Sequence, residues 1–360
     1  MPPIRVLVIG CGNMGGGHAR AYARDAGFTL VGLVSRSQAS SAALARELGG
    51  VATFTDVAAA IAATRPDAVC VASYPDTHVA FARQAIEAGC HVFCEKPLAE
   101  TVAEAEGLIA LARERQRALY VGYSLRVHPT WQRFAEIART LGKPLVMRMN
   151  LNQRSSGKTW ATHKSLMEAT PPIVDCGVHY VDMMAQMTGS RPVRVNAIGA
   201  RLSSELKPGG YNYGQLQVVF ADGSVGWYEA GWGPMMSENA YFVKDVIGPK
   251  GCVSIIGPKD VASDDVDQHG AVDRVVLRRA DPTGATAGTT EVLPPEADVG
   301  HLGICDREQA LFLRAIRGGF ALDEHHTAVI DSMRIVLAAD ESVRTGRTVV
   351  LDRAGAAAGG

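Results

Sequence analysis

The chain has 360 residues, seven cysteines and a formal net charge of −1, from 36 basic and 37 acidic side chains. That length holds two domains with a sizeable core, and the near-zero charge gives a nucleic acid or other polyanion no footing. No apolar run reaches the roughly 20 residues that cross a bilayer, so no membrane partner is expected either.

The first element is an apolar run, Val6-Leu7-Val8-Ile9, that breaks into Gly10-Cys11-Gly12-Asn13-Met14-Gly15 and then into a helical pattern. A dinucleotide site needs glycine at three such places. Gly10 makes the tight turn out of the strand, Gly12 lets backbone approach a pyrophosphate, and Gly15 lets helix pack on strand. The pyrophosphate then rests on the free N–H groups of the following helix. Met1-Pro2-Pro3 carries no leader signature. The cysteines lack zinc-like spacing, and Cys70, Cys90, Cys94 and Cys176 sit among apolar neighbours, as reduced core thiols do. A cytoplasmic location is therefore expected.

Strand patterns follow at Arg5–Ile9, Thr29–Ser35, Ala68–Ala72, His91–Cys94 and Ala118–Gly122. Helical patterns alternate with them at Met14–Ala26, Ala39–Leu48, Val57–Thr64, His78–Ala88 and Val102–Arg115. This alternation predicts a doubly wound parallel sheet, an α/β dinucleotide-binding (Rossmann) domain over residues 1–123. Beyond it, strand patterns succeed one another at Leu145–Leu151, Arg194–Arg201, Gly214–Phe220, Ser224–Ala230, Ala240–Ile247, Cys252–Ile256 and Val275–Arg279. Ala221-Asp222-Gly223-Ser224 is a hairpin turn signal. Residues 124–360 thus read as an α+β domain with a large open, mostly antiparallel sheet, one helix at Asp175–Met187, and two closing helices near Asp306–Arg317 and Thr327–Thr345. The terminal helix is expected to pack back on the first domain. The segment 261–290 reads as a surface excursion and the Ala/Gly-rich tail as frayed.

Just past the second strand, a carboxylate would bond ribose hydroxyls and repel a 2′-phosphate, whereas a basic side chain would accept it. This chain has Ser35-Arg36-Ser37 there and no carboxylate. Arg36 suits a phosphate clamp, so NADP(H) is favoured and NAD(H) remains open.

Glu95-Lys96-Pro97 closes the strand His91–Cys94, and ligands of such sheets bind beyond the carboxyl ends of the strands. Lys96 is therefore aimed at the cofactor crevice, where it can hold an oxygen or relay a proton; by itself the tripeptide also suits a surface turn. The second constellation is Asp175-Cys176-Gly177-Val178-His179-Tyr180-Val181-Asp182. On a helix starting at Gly177, His179 and Asp182 share a face and Asp175 is placed to cap. A histidine beside a carboxylate suits proton removal from a hydroxyl; a packed histidine on a capped helix is the competing reading. A metal is not expected, because hydride transfer needs none and no third ligand lies close in sequence.

These motifs, together with Ala85-Ile86-Glu87-Ala88-Gly89-Cys90-His91-Val92-Phe93-Cys94 leading into Glu95-Lys96-Pro97, resemble the glucose–fructose oxidoreductase and inositol dehydrogenase (Gfo/Idh/MocA) family over nearly the whole chain. The resemblance implies a lysine, here Lys96, that orients the reacting carbinol or carbonyl. It implies a general acid–base histidine, here His179, and a carboxylate, here Asp175, that holds substrate or tunes it. It assigns Gly10, Gly12, Asn13, Met14, Gly15, Ser35, Arg36, Ser73, His78, Glu95, Lys96 and Arg126 to the cofactor. Tyr123, Arg154 and Trp160 fall where substrate contacts are expected, beside Asp175 and His179. It also implies a homodimer or homotetramer formed through the second sheet, and a sugar, inositol or related polyol as substrate. The function expected is NAD(P)-dependent hydride transfer at a carbinol or carbonyl carbon. The alternatives are a redox cycle on tightly bound NAD(H), as in glycoside cleavage or isomerisation, and a non-catalytic dinucleotide-sensing regulator.

Overall fold

The computed structural model describes residues 1–237, 242–257, 272–284, 288–294 and 299–351. The chain divides into two compact units, one comprising residues 1–128 and 299–330, the other residues 129–298 and 331–360.

In the first unit, strands β1 (Ile4–Ile9), β2 (Phe28–Val34), β3 (Thr53–Phe54), β4 (Ala68–Val71), β5 (His91–Glu95) and β6 (Leu119–Gly122) form one sheet in the order β3-β2-β1-β4-β5-β6. Every pairing is parallel. Helices α1 (Asn13–Arg24), α2 (Gln38–Glu47), α3 (Val57–Thr64), α4 (Pro75–Glu87) and α5 (Val102–Glu114) supply the crossovers. Their starts are written locally. Asp56 accepts from the Ala59 N–H to cap α3, Pro75 opens α4, and Thr101 with Glu104 closes a reciprocal capping box on α5. The short α6 (Ser124–Val127) follows β6.

The expected domain end at residue 123 stands against a division after His128, and the chain later returns to this unit. The physical reason for the return is aromatic packing. Phe312 is buried against Phe28 and Phe93 in the same cluster as Tyr22 and Tyr120. It lies on α11 (Gly300–Ile316), so a helix nearly 300 residues along the chain completes the core of the first sheet.

The second unit holds β7 (Val146–Arg154), β8 (Pro192–Ala200), β9 (Tyr213–Phe220), β10 (Val225–Gly233), β11 (Lys244–Gly248), β12 (Gly251–Ile256), β13 (Arg274–Arg279), β14 (Thr289–Leu293) and β15 (Val349–Val350). They form one sheet in the order β14-β13-β12-β11-β7-β10-β9-β8-β15. Pairing is antiparallel except between β7 and β10, which run parallel. The β9–β10 hairpin turns on Gly223 at φ 83, with Asp222 accepting from the Ser224 N–H. Helices α7 (Pro129–Arg139), α8 (Gly157–Leu166), α9 (Pro172–Asp175) and α10 (Gly177–Thr188) precede the β8–β10 meander, and α12 (Asp323–Thr345) closes the chain.

One face of this sheet is covered by α10, through Tyr180 stacked on Tyr228 and Met184 over Gly226. Residues 261–271 and 285–287 of the expected excursion, residues 240–241 of the expected strand start, and the expected frayed tail lie outside the described residues. Within the excursion, residues 274–279 form β13. Among the described residues no helix is long and apolar enough to cross a membrane.

Candidate active site

The cofactor cradle in the first unit starts from two glycines the protein itself demands. Gly10 sits at φ 98, and a Cβ there would lie 2.2 Å from the Ala72 carbonyl oxygen; a Cβ on Gly15 would lie 2.0 Å from the Gly10 oxygen. Gly12 is different, since a Cβ there would meet nothing within 4 Å. The space above Gly12 is open, at the start of a helix with no side-chain cap and no acidic residue in its first turn. Its free N–H groups and the positive end of its dipole are thus available to an anion, and these residues fit a dinucleotide pyrophosphate.

The turn after β2 presents Arg36, exposed, with its guanidinium 5.3 Å from the centre of the Tyr74 ring. The neighbouring serines are committed to the loop. Ser35 Oγ accepts from the Ser37 N–H and Ser37 Oγ from the Ser40 N–H, capping α2. The Ser35 hydroxyl also bonds the Cys11 thiol.

Lys96 follows β5 directly, and its bond to Pro97 is cis. Two residues assigned to the cofactor from sequence are instead turned into the protein. His78 is buried, with Nδ1 2.7 Å from the Pro97 oxygen and Nε2 3.1 Å from the Ser73 oxygen. Burial is the largest influence on its pKa and lowers it, and the ring lies between the carbonyls of the Ser73 loop and the Lys96-Pro97 turn. Glu95 is 5% exposed and accepts from His18 at 2.7 Å. His78 lies in the first turn of α4 and Glu95 is the last residue of β5, and both side chains are directed into the interior. The Ser73 hydroxyl is 2.6 Å from that of Thr77.

Tyr123, expected at the substrate, is also buried, beneath the Arg126 guanidinium at 4.8 Å. Arg126 Nη1 lies 2.9 Å from Nδ1 of His325. Burial first and the Arg126 charge second push His325 well below the ordinary histidine range, so this ring is neutral.

His18, Glu95 and Glu308 are the one group among the described residues whose ligand atoms lie within 4.8 Å of one another. Ligands on a tetrahedral ion with bonds of about 2.0–2.2 Å stand about 3.3 Å or more apart. The 2.7 Å between His18 Nε2 and Glu95 Oε1 suits a proton instead. Burial, and then the Glu95 charge, push the Glu308 carboxyl well above the usual carboxylate range.

In the second unit, Asp175 ends α9 and His179 lies in the first turn of α10. Cys176 between them has helical angles (φ −82, ψ −36), so the helical run is continuous. Asp175 is therefore not the N-cap expected for α10, which has no side-chain cap. Pro172, favoured at a helix start, begins the run one turn earlier. The spacing survives: Asp175, His179 and Asp182 share one helical face, with both carboxylates buried and His179 half-buried.

Beside Asp175 lie residues that the motif reading missed. Cys176 Sγ is 3.7 Å from Asp175 Oδ2 and 3.8 Å from Gln153 Oε1. Gln153 accepts from the Trp232 indole N–H at 2.5 Å, and His163 stacks on Trp232 at 4.4 Å with its Nδ1 3.0 Å from Ser155 Oγ. A signal was present: Asn150, Asn152 and Gln153 make β7 unusually polar for a strand, and all three are buried. Trp160 is turned to Glu205, donating its N–H at 3.0 Å, with Lys164 over its ring; Arg154 is exposed. All seven cysteines are free.

With this geometry in hand, comparisons with known proteins give two matching family models. Residues 4–123 match the Gfo/Idh/MocA oxidoreductase family, NAD-binding Rossmann fold, and residues 137–253 match the Gfo/Idh/MocA C-terminal domain. The chain is 33% identical over 196 residues to UDP-N-acetylglucosamine 3-dehydrogenase of Acidithiobacillus ferrooxidans, covering 54% of this chain and 58% of that relative's length. It is 28% identical over 268 residues to D-glucoside 3-dehydrogenase of Escherichia coli, covering 69% and 76%. The crystal structure of GenD2 from gentamicin A biosynthesis, in complex with NAD, superposes with a TM-score of 0.78 at 24% identity, covering 98% of this chain and 97% of that one.

Proposed function

The chain belongs to the Gfo/Idh/MocA oxidoreductase family, with its NAD-binding Rossmann domain, and on that premise we propose that it is a cytoplasmic NAD(P)-dependent dehydrogenase or reductase of a sugar, inositol or related polyol. The observation that carries the reading lies in the first sheet. The open space over Gly12 and the Lys96 turn both stand at carboxyl ends of parallel strands, separated in the sheet by β4 alone. Bound nicotinamide dinucleotide supplies the hydride acceptor or donor. Lys96 holds the substrate oxygen and stabilises charge that develops on it. His179 takes the hydroxyl proton in oxidation and returns it in reduction, with Asp175 orienting ring or substrate. The redox-cycle and regulator readings are not favoured, since the relatives are named as dehydrogenases.

Within this reading NADP(H) is the preferred cofactor, supported by the exposed Arg36 and the lack of a carboxylate in its turn. The two relatives described above are named for oxidation at position 3 of a sugar, which puts UDP-sugars and glucosides first in a substrate panel, followed by inositols. The test is a fluorescence titration with NADPH and NADH, then the panel read at the nicotinamide absorbance. Arg36→Ala should weaken NADPH by roughly 10- to 150-fold, the worth of a hydrogen bond to a charged group (about 1.5–3 kcal/mol), and leave NADH unchanged. Tighter NADH than NADPH in the native protein would overturn the cofactor preference. A panel with no turnover in either direction would overturn the activity.

A further inference from the structure

Beneath the Lys96 turn runs a line of buried hydrogen bonds that the reaction as described does not use. Gln309 on α11 donates from Nε2 to His18 Nδ1 at 2.8 Å. That places the ring proton on Nε2, which donates to Glu95 Oε1 at 2.7 Å. The other oxygen of Glu95, Oε2, accepts from the backbone N–H of Lys96 at 3.2 Å. His18 and Gln309 are fully buried, and the His18 ring packs on Phe93 at 4.7 Å. The line therefore begins on one helix, passes through α1 and ends on the amide of Lys96. The same α1 opens at Gly12, so one rigid element carries both the cradle and the support of Lys96.

We propose that His18 is a positioning residue for Lys96, holding the Glu95 side chain so that it fixes the backbone of the Lys96 turn and with it the direction of the ε-amine. The proposal rests on the role given to Lys96 above. A carboxylate pinned at one oxygen by a short, charge-assisted bond has a single direction left for the other. Without that bond Glu95 loses a buried charge-assisted donor and the constraint on its direction, and its side chain is released to turn. Nearby Glu308 has a buried oxygen with no hydrogen bond, within 4.8 Å of the same atoms, and offers that alternative partner. The Lys96 amide would then lose its acceptor. The arrangement is also steric: a side chain on Gly122, paired with Glu95 across β5 and β6, would come within 2.9 Å of Phe93 and 3.4 Å of Glu95 Oε1.

The test compares His18→Leu with His18→Gln, whose amide N–H can still reach Glu95. Competitive acetylation of the purified, cofactor-free protein is read by mass spectrometry at Lys96, with exposed Lys158 as internal reference. In His18→Leu the Lys96 rate should change at least about threefold relative to Lys158, and His18→Gln should return it to within twofold of the native rate. On the best substrate, kcat should fall about tenfold in His18→Leu, with KM and NAD(P)H affinity within twofold, and recover in His18→Gln. An unchanged Lys96 rate in folded His18→Leu overturns the proposal, as does an equal loss in both variants. Should His18→Leu not fold, Gln309→Leu, one bond further out, must still change the Lys96 rate relative to Lys158, and an unchanged rate in that folded variant overturns the proposal. The labelling needs no turnover, so failure of the dehydrogenase reading and failure of this proposal give different results.

Discussion

At the scale of single residues, His179 carries the sharpest expectation. A base for alcohol oxidation must be neutral to accept a proton, so kcat/KM should rise with pH along a histidine limb. His179→Ala should lower the rate by about 10²–10⁴ and lose that limb. Measuring kcat/KM against pH for both proteins with one substrate decides the matter, because the same limb in both removes His179 from the mechanism. Two buried groups make a second expectation, about stability. Glu308 is held well above its ordinary value of 4.5, so above pH 4.5 the folded protein keeps a proton that the unfolded chain releases. Stability from this group falls as pH rises, by up to about 1.4 kcal/mol per pH unit. Lys244 runs the other way. It is buried with its amine on the Asn150 carbonyl and over the Tyr180 ring, and burial lowers its pKa from 10.5 to about 7. Between those values the unfolded chain holds the extra proton, so stability from Lys244 is lost as pH falls through that window. The two trends oppose each other in the native protein, and single variants separate them. The Tm of Glu308→Gln minus that of the native protein should grow from pH 5 to 9, whereas for Lys244→Met it should be largest near pH 6 and shrink above pH 7. A difference that is flat with pH for either variant contradicts its assigned burial.

At the scale of elements, the β1–α1 junction divides labour between its glycines. Gly10 and Gly15 are required by the protein's own backbone, whereas nothing in the protein crowds Gly12, which leaves the proposed dinucleotide as the reason for it. Gly10→Ala should cost more than about 2 kcal/mol, combining strain at φ 98 with a carbonyl contact that cannot relax. Gly12→Ala should leave stability within about 0.5 kcal/mol and weaken dinucleotide binding at least tenfold. Chemical denaturation paired with a cofactor titration measures both; an Ala at position 12 that destabilises without affecting the titration would assign that glycine to the fold. The helix bearing His179 teaches a related lesson. Its spacing from Asp175 was legible because it depends on 3.6-residue periodicity alone. Its true start was missed, because Pro171-Pro172 and the helical Cys176 extend the run backward past the expected cap.

At the scale of the whole molecule, the nine-stranded sheet has two unlike faces. Register puts Val146, Val225, Ile247, Ile198, Val292 and Val350 on one face, all exposed, opposite the face that α10 covers. Exposed apolar groups gathered on one sheet face call for a cover, and a second copy of the same face would give closed symmetry. The Arg148–Asp245 pair and the Asn152–Glu229 hydrogen bond lie between them and would set the register of such a contact. Light scattering at micromolar concentration should show a dimer or tetramer, and Val146→Glu with Val225→Glu should shift it toward monomer. A monomeric native protein at that concentration removes this face from consideration as an interface.

Local chemistry in the sequence determined the parallel sheet, the cradle glycines, the Lys96 turn at a strand end and the Asp175–His179 spacing. Each depends on period, on turn residues or on neighbours within a few positions, and such signals need no partner from elsewhere in the chain. The tertiary structure decided which polar side chains face inward. Glu95 and His78 read as cofactor contacts until His18, 77 residues from Glu95, and the Pro97 carbonyl claim them. Tyr123 read as a substrate contact from its place after β6, and the fold buries it beneath Arg126. Gln153, His163 and Trp232 gather beside Asp175 only because β10 pairs with β7 in parallel register. The core of the first sheet likewise waits for Phe312 from the far end of the chain. A buried polar group must find its partner wherever the fold supplies one, and sequence spacing does not record that distance.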